Sequence, residues 1–262
     1  SMTRRLRWAE ALDRSCRARR RLLHPCDFHR AWFRELAKFY RHLSREEFWL
    51  RYHESRNRAQ RLAEAGPAGK TWEDTDYCVL RQAYYHRDRC FHLASALLPR
   101  GGLWLEYGCG IAPVSVWLAR HRPEAWGVLA DVPGRTWEFA QWRTSRWSAR
   151  FWCQPLPPAR PLEGRDFSLV ICSEVLEHVP DPVATVRTLT RALGPGGHLL
   201  VNFVETPASG ANLLAAQRQR SATLAYLVAQ LETIRPITAH GPDGIYRKPT
   251  TLAAGSRGCA DE

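Results

Sequence analysis

From residue 101 onward, short apolar runs alternate with amphipathic, helix-favouring stretches. The runs are LWLEY at 103–107, WGVLAD at 126–131, ARFWC at 149–153, FSLVIC at 167–172 and GHLLVNFV at 197–204. Strands buried on both faces read as near-continuous apolar runs, and parallel neighbours need a crossover between them. This texture therefore predicts an α/β fold with a mostly parallel sheet, flanked by helices at about 112–121, 134–146 and 182–193. The prolines of QPLPPARPLEGRD make a regular helix between the third and fourth runs improbable. A helix over 209–233 and two strands around Gly241-Pro242-Asp243-Gly244 complete the reading, which brings the strands to seven.

The first hundred residues read as helices. Arg4–Leu23 is arginine-rich and polar on most of its surface. Asp27 offers a cap for FHRAWFRELAKFYRHL, in which Trp32, Leu36, Phe39 and Leu43 fall at three- and four-residue spacing and bury one side. Ser44-Arg45-Glu46-Glu47 has the form of a capping box and starts a helix that fades into AEAGPAGK. One longer helix is expected from about Thr75 to Leu98. The chain thus divides into 1–100, an all-helical extension serving as lid, substrate or partner region, and 101–262, a catalytic core.

The formal charge of +12 suits a nucleic-acid partner. Only Lys38, Lys70 and Lys248 are lysines, however, which a coding bias toward arginine explains as readily, and arginines sit beside acids, as in Arg45-Glu46-Glu47 and Arg87-Asp88-Arg89, for which a solvated helix face is the favoured reading. The opening residues are too charged for a secretory signal and no apolar stretch is long enough to span a membrane, so a soluble cytoplasmic protein without membrane attachment is expected. The cysteines form no C-x-x-C pair and read as packing thiols. Cys16, His24, Cys26 and His29 match no standard zinc spacing, and no metal is expected there.

Glu106-Tyr107-Gly108-Cys109-Gly110-Ile111-Ala112 follows the first apolar run and opens a helix. A glycine turn lets backbone approach a ligand, and a helix start presents N–H groups to it. Alone, such a turn is as readily a tight strand-to-helix connection. Asp131 adds to it: this acid ends the second run, 21 residues past Gly110, where a carboxylate accepts from both hydroxyls of a ribose. The two features favour an adenosine-containing cofactor. A nicotinamide dinucleotide fingerprint would need glycine at position 113, which is Pro113. Gly66-Pro67-Ala68-Gly69-Lys70-Thr71 ends like a phosphate loop, but Glu64 stands where its first glycine belongs.

LWLEYGCGIA, LADVPG, FSLVICSEVLEHVPDP and LGPGGHLLVNF, in that order across about Leu103–Glu205, resemble the class I S-adenosylmethionine (SAM)-dependent methyltransferase family. They look like its first motif, the acidic end of its second strand, its fourth strand with the loop after it, and the turn into its fifth. The resemblance implies a Rossmann-like sheet, SAM as cofactor and S-adenosylhomocysteine as product. Glu106, Gly108 and Gly110 would lie against the methionine part of SAM, Asp131 would hold the ribose and Val132 would flank the adenine. Where the family often has an acid for the adenine amino group, this chain has Gln154 followed by prolines. Gln154 and Ser173 complete the candidate cofactor set.

His178 follows the fourth strand and is the candidate general base, with Glu174 beside it; packing against the loop, or capping the next helix, is the other reading of His178. Glu174, Glu177 and His178 resemble the metal ligands of some O-methyltransferases, but no fourth ligand is evident. Trp72, Tyr77, Tyr84, Tyr85 and His86 suit a substrate wall, and Arg81 or Arg87 a carboxylate partner. The expected activity is methyl transfer to an O, N or C nucleophile of a small molecule in specialised natural-product metabolism. A SAM-binding protein that closes rings or serves in a heteromer is one alternative. An RNA methyltransferase is another, weakened because ICSEVLEH stands where N-P-P-Y would. Homo- or hetero-oligomers would form through the N-terminal helices.

Overall fold

A computed structural model describes residues 2–20, 30–41, 43–65, 76–85, 90–157, 162–205, 213–238 and 243–250. Ahead of the sheet lie α1 (Met2–Arg20), α2 (Arg30–Phe39), α3 (Arg45–Ala65), α4 (Asp76–Tyr85) and α5 (Phe91–Leu97). The capping box forms as expected: Ser44 N–H donates to Glu47 Oε2 at 2.8 Å, and Glu47 N–H donates to Ser44 Oγ at 3.1 Å. The single helix expected over 75–98 is instead two. Cys90 adopts a left-handed conformation (φ 55°) at the start of α5, a break that apolar spacing does not register. Asp27 and most of the Cys16–His29 cluster lie outside the described residues, among which no group of three His, Cys, Asp or Glu is placed to hold a metal.

The core follows as β1 (Leu103–Tyr107), α6 (Pro113–His121), β2 (Trp126–Asp131), α7 (Arg135–Thr144), β3 (Phe151–Pro155), β4 (Phe167–Cys172), α8 (Pro182–Ala192), β5 (Leu193–Val201), α9 (Leu214–Arg218), α10 (Arg220–Gln230), β6 (Glu232–Arg235) and β7 (Gly244–Arg247). The described strands form one sheet in the order β3-β2-β1-β4-β5-β7-β6. Pairing is parallel from β3 to β5, while β7 runs antiparallel to both β5 and β6. The seven-stranded, mostly parallel reading holds. Strand order reverses beside β1, and open α/β sheets bind ligands outside the carboxyl ends of the strands at such a point.

Boundaries moved where local geometry overrides pattern. β3 starts at Phe151, two residues late, because Arg150 ends a 3-10 turn and spends its guanidinium on the carbonyls of Ala119 and Pro123. β5 begins at Leu193, earlier than Gly197, because Leu193 already pairs with Phe167 of β4; the register then shifts, with Gly196 left-handed (φ 73°), before His198 pairs with Leu169. The helix expected over 209–233 begins at Leu214 within the described residues and is interrupted at Gln219.

Period-two alternation divides the core. Trp104, Leu169, Ile171, Leu200 and Ile245 face α1, α5 and α6, whereas Leu105, Val170, Cys172, Leu199, Val201 and Tyr246 face α8 and α10. Trp104 is fully buried, and its indole N–H is satisfied by Ser115 Oγ at 2.9 Å. A third cluster joins Leu36, Tyr40, Leu43, Phe48 and Tyr52 with Val79 and Leu80 of α4, Phe139 of α7 and Ile111 of the glycine turn. No described helix is long and apolar enough to cross a membrane.

Candidate functional site

The carboxyl edge of the parallel strands gathers the glycine turn after β1, Asp131 at the end of β2, Gln154 on β3 and Ser173 after β4. Gly108 (φ 66°), Gly110 (φ 52°) and Ala112 (φ 54°) are all left-handed, and Pro113 occupies the first helical position, where its missing N–H costs nothing. The space beside both glycines is filled by this chain's own side chains. A Cβ on Gly108 would meet Val175 Cγ2 at 2.3 Å, and one on Gly110 would meet Gln82 Oε1 at 2.0 Å. Gly108→Ala is therefore expected to lower stability by about 2 kcal/mol, from backbone strain plus overpacking. In urea denaturation the added change Val175→Ala should recover roughly half of that loss; no recovery would mean that the contact with Val175 is not what demands glycine.

The N–H groups of the turn are occupied by the chain itself, not held open as the motif alone suggests. Gly108 and Cys109 donate to Ala130 O at 2.7 and 3.1 Å, Gly110 to Asp131 Oδ2 at 2.5 Å, Ile111 to Gln82 Oε1 at 2.9 Å and Ala112 to Cys109 O at 2.7 Å. Asp131 also accepts from Val132 N–H at 2.7 Å through Oδ1. Burial pushes its carboxyl up to about 6, against the lowering effect of those two N–H donors. Glu106 lies beneath the turn, only 5 % exposed, and accepts from Ser115 N–H at 2.8 Å in the first turn of α6. Burial pushes it up to about 7, opposed by hydrogen bonds from Ser115 and Val114. Val132 is exposed beside Asp131. Gln154 is buried next to the Asp131–Pro155 pair of the β2–β3 register.

After β4 the edge is braced by two contacts that the sequence did not signal. Ser173 Oγ donates to Asp243 Oδ1 at 2.9 Å. Glu174, left-handed at φ 58°, exchanges two 2.6 Å hydrogen bonds with Asn202: its N–H donates to Asn202 Oδ1 and its carboxylate accepts from Nδ2. His178 ends the short 3-10 turn Leu176–His178, half-buried, with Nε2 3.9 Å from Glu177 Oε1. Arg81 lies on α4 next to Gln82, half-buried. Trp72 and His86 fall outside the described residues, as do the side chains of Tyr77, Tyr84 and Tyr85. Gln82, Asn202 and Asp243 thus join an edge for which only adjacency to β1, β5 and β7 could have nominated them.

A family described as a methyltransferase domain matches residues 79–241, more than half of the chain. The chain belongs to the class I SAM-dependent methyltransferase family. A relative in this family, the ubiquinone biosynthesis O-methyltransferase of Xanthomonas axonopodis pv. citri, is 29% identical over 124 residues, 46% of this chain and 51% of the relative. Across this and the other similar curated relatives, the chain spans from 18% to about half (51%) of their length. Among solved structures, an O-methyltransferase family protein from Burkholderia thailandensis is similar at a TM-score of 0.47 and 15% identity, over 67% of this chain and 60% of that one. The N-methyltransferase NodS from Bradyrhizobium japonicum, in complex with S-adenosyl-L-homocysteine, is similar at 0.43 and 20%, over 61% and 83%. The methyltransferase match runs from Val79 to Gly241, so it takes in most of α4 and strands β1 to β6 but stops short of β7.

Proposed function

We propose that this chain transfers the methyl group of SAM to a nucleophile of a small molecule, with oxygen as the favoured acceptor. The observation that carries the reading is Asp131. Its two oxygens each accept one backbone N–H at the point where strand order reverses. A carboxylate offers about four lone-pair sites, so each oxygen keeps capacity for one ribose hydroxyl. The turn fits the methionine part as well. With its N–H groups spent on acceptors of the chain itself, it offers no backbone donor to an anion, which favours an ammonium group over a phosphate. The name of the Xanthomonas relative supports oxygen as the acceptor, and the EVLEHV loop, which resembles enzymes of natural-product metabolism, supports a small molecule.

Bound SAM supplies a methyl group on a positively charged sulfonium. The remaining work belongs to the chain: holding, aligning and excluding water. Asp131 anchors the ribose, and the Glu174–Asn202 brace fixes the start of the loop that carries His178. In this reading the His178 imidazole takes a proton from the acceptor as the methyl group arrives.

Titration calorimetry with S-adenosylhomocysteine tests the cofactor half. Asp131 must be ionised to accept both hydroxyls, yet burial holds it up to about 6 without ligand. Affinity should therefore rise as pH climbs through about 6 and level off above it. Asp131→Asn should cost about 2 kcal/mol of binding at pH 8 and flatten the profile. Affinity unchanged by that substitution would remove Asp131 from the site. The unliganded fold follows the opposite sign, because raised carboxyl pKa values favour the protonated folded state. The contributions of Asp131 and Glu106 are present below about pH 4 and are lost as pH rises through about 6 and 7. Release of S-adenosylhomocysteine on incubation with phenolic acceptors tests the transfer itself. Product formed without it would leave SAM binding and abolish the transfer.

A further inference from the structure

Ile111 sits in the middle of the glycine turn, and each part of it is held by the N-terminal helices or by a residue they anchor. Its N–H donates to Gln82 Oε1 of α4 at 2.9 Å. Its carbonyl accepts from Arg143 Nη1 of α7 at 2.8 Å. Its side chain is buried among Leu36, Val79, Leu80 and Phe139. Arg143 is itself only 1 % exposed and points its Nε at Glu35 Oε2 of α2, 2.7 Å away. The other oxygen of Glu35 accepts from Arg146 at 2.5 Å and Arg120 at 3.4 Å.

Burying an ion pair seldom yields net stability, because desolvation offsets the attraction. What it yields here is direction. The planar guanidinium of Arg143 holds the Glu35 carboxylate with one edge and the Ile111 carbonyl with another, so Glu35 sets where the carbonyl points. Gln82 fixes the preceding peptide plane from the other side, and its carboxamide rests against Gly110, whose own N–H goes to Asp131. Three consecutive peptide groups are thereby locked, two of them by groups that begin in helices outside the sheet.

We propose that the N-terminal helical layer is a working part of the cofactor site: Glu35, acting through Arg143, and Gln82 are positioning residues that hold the glycine turn in its SAM-binding shape. The inference rests on the SAM reading of the turn for its affinity arm alone. The layer then does more than cover an acceptor, since any movement of α2 or α4 is transmitted to the turn.

Two measurements on the full chain test this. One is amide hydrogen exchange of the 103–113 segment without ligand, and the other is calorimetry with S-adenosylhomocysteine. Glu35→Gln should speed exchange at the turn and weaken binding, each by about tenfold, and in turnover assays should raise the SAM KM while kcat stays within about twofold. Arg120→Ala and Arg146→Ala touch Glu35 but not the turn, and should stay within about twofold of the parent in both measurements. Parent-like exchange in Glu35→Gln, or equal losses in the two arginine variants, overturns the proposal, because either result reduces Glu35 to general packing. Should Glu35→Gln fail to fold, Gln82→Met applies the same test from α4, with the same expected and overturning results. If the parent chain itself binds no S-adenosylhomocysteine, the SAM reading fails, and the exchange comparison still decides whether the turn is held from α2 and α4.

Discussion

Replacing Arg143 with methionine is expected to lower the unfolding free energy by about 3 kcal/mol, read from urea denaturation. Breaking a buried ion pair from one side costs most when the partner charge is stranded. Glu35, 5 % exposed, would keep Arg146 at 2.5 Å and the more distant Arg120, which places the loss at the low end of the usual range. The Ile111 carbonyl would also lose its donor in a buried setting, adding to the cost. Removing both charges together has a different outcome. A Glu35→Leu, Arg143→Met pair leaves no stranded carboxylate and should recover more than half of the loss. A double variant as unstable as the sum of the singles would mean that the two residues are not coupled, so that a stranded Glu35 is not what makes Arg143→Met costly.

His178→Ala is expected to lower kcat by about 100-fold while leaving affinity for S-adenosylhomocysteine nearly unchanged. The imidazole sits on a turn secured by His178 N–H to Val175 O at 2.9 Å and Leu213 N–H to Glu177 O at 2.9 Å, so deleting the ring should leave the loop in place. A general-base role also leaves a signature in pH. A phenolic acceptor ionises by itself near pH 10, so the deficit should shrink as pH is raised from 7 to about 9.5. A deficit constant across that range would make His178 a packing residue, and full activity would remove it from the chemistry altogether.

What could be read in advance follows the range of the interactions. Asp131 was legible because strand end, acid and spacing are local, and β1, β2 and β4 announced themselves as apolar runs. The capping box at Ser44 was legible for the same reason. Glu35 was not, since its partner lies 108 residues away and nothing periodic marks either residue. Asn202 and Asp243 were missed likewise, as they reach Glu174 and Ser173 only after β5 and β7 are laid beside β4. The partners of the turn's N–H groups are not legible in the sequence, because a glycine motif states which backbone shapes are permitted, not which acceptors await them. The split at residue 90 was hidden by apolar spacing that continues on both sides of it.

The two outer strands carry a further consequence, for crowding. A strand at the rim of a sheet offers open backbone groups on which a neighbouring molecule can nucleate. β3 is five residues long and ends at Pro155, and Arg165 stacks over Trp152 at 3.9 Å, so a charge sits on its exposed aromatic side chain. β6 is four residues long and is bordered by the Glu232–Arg247 ion pair. Short length and charge at both rims, with a proline at the end of β3, discourage edge-to-edge stacking between sheets of neighbouring molecules.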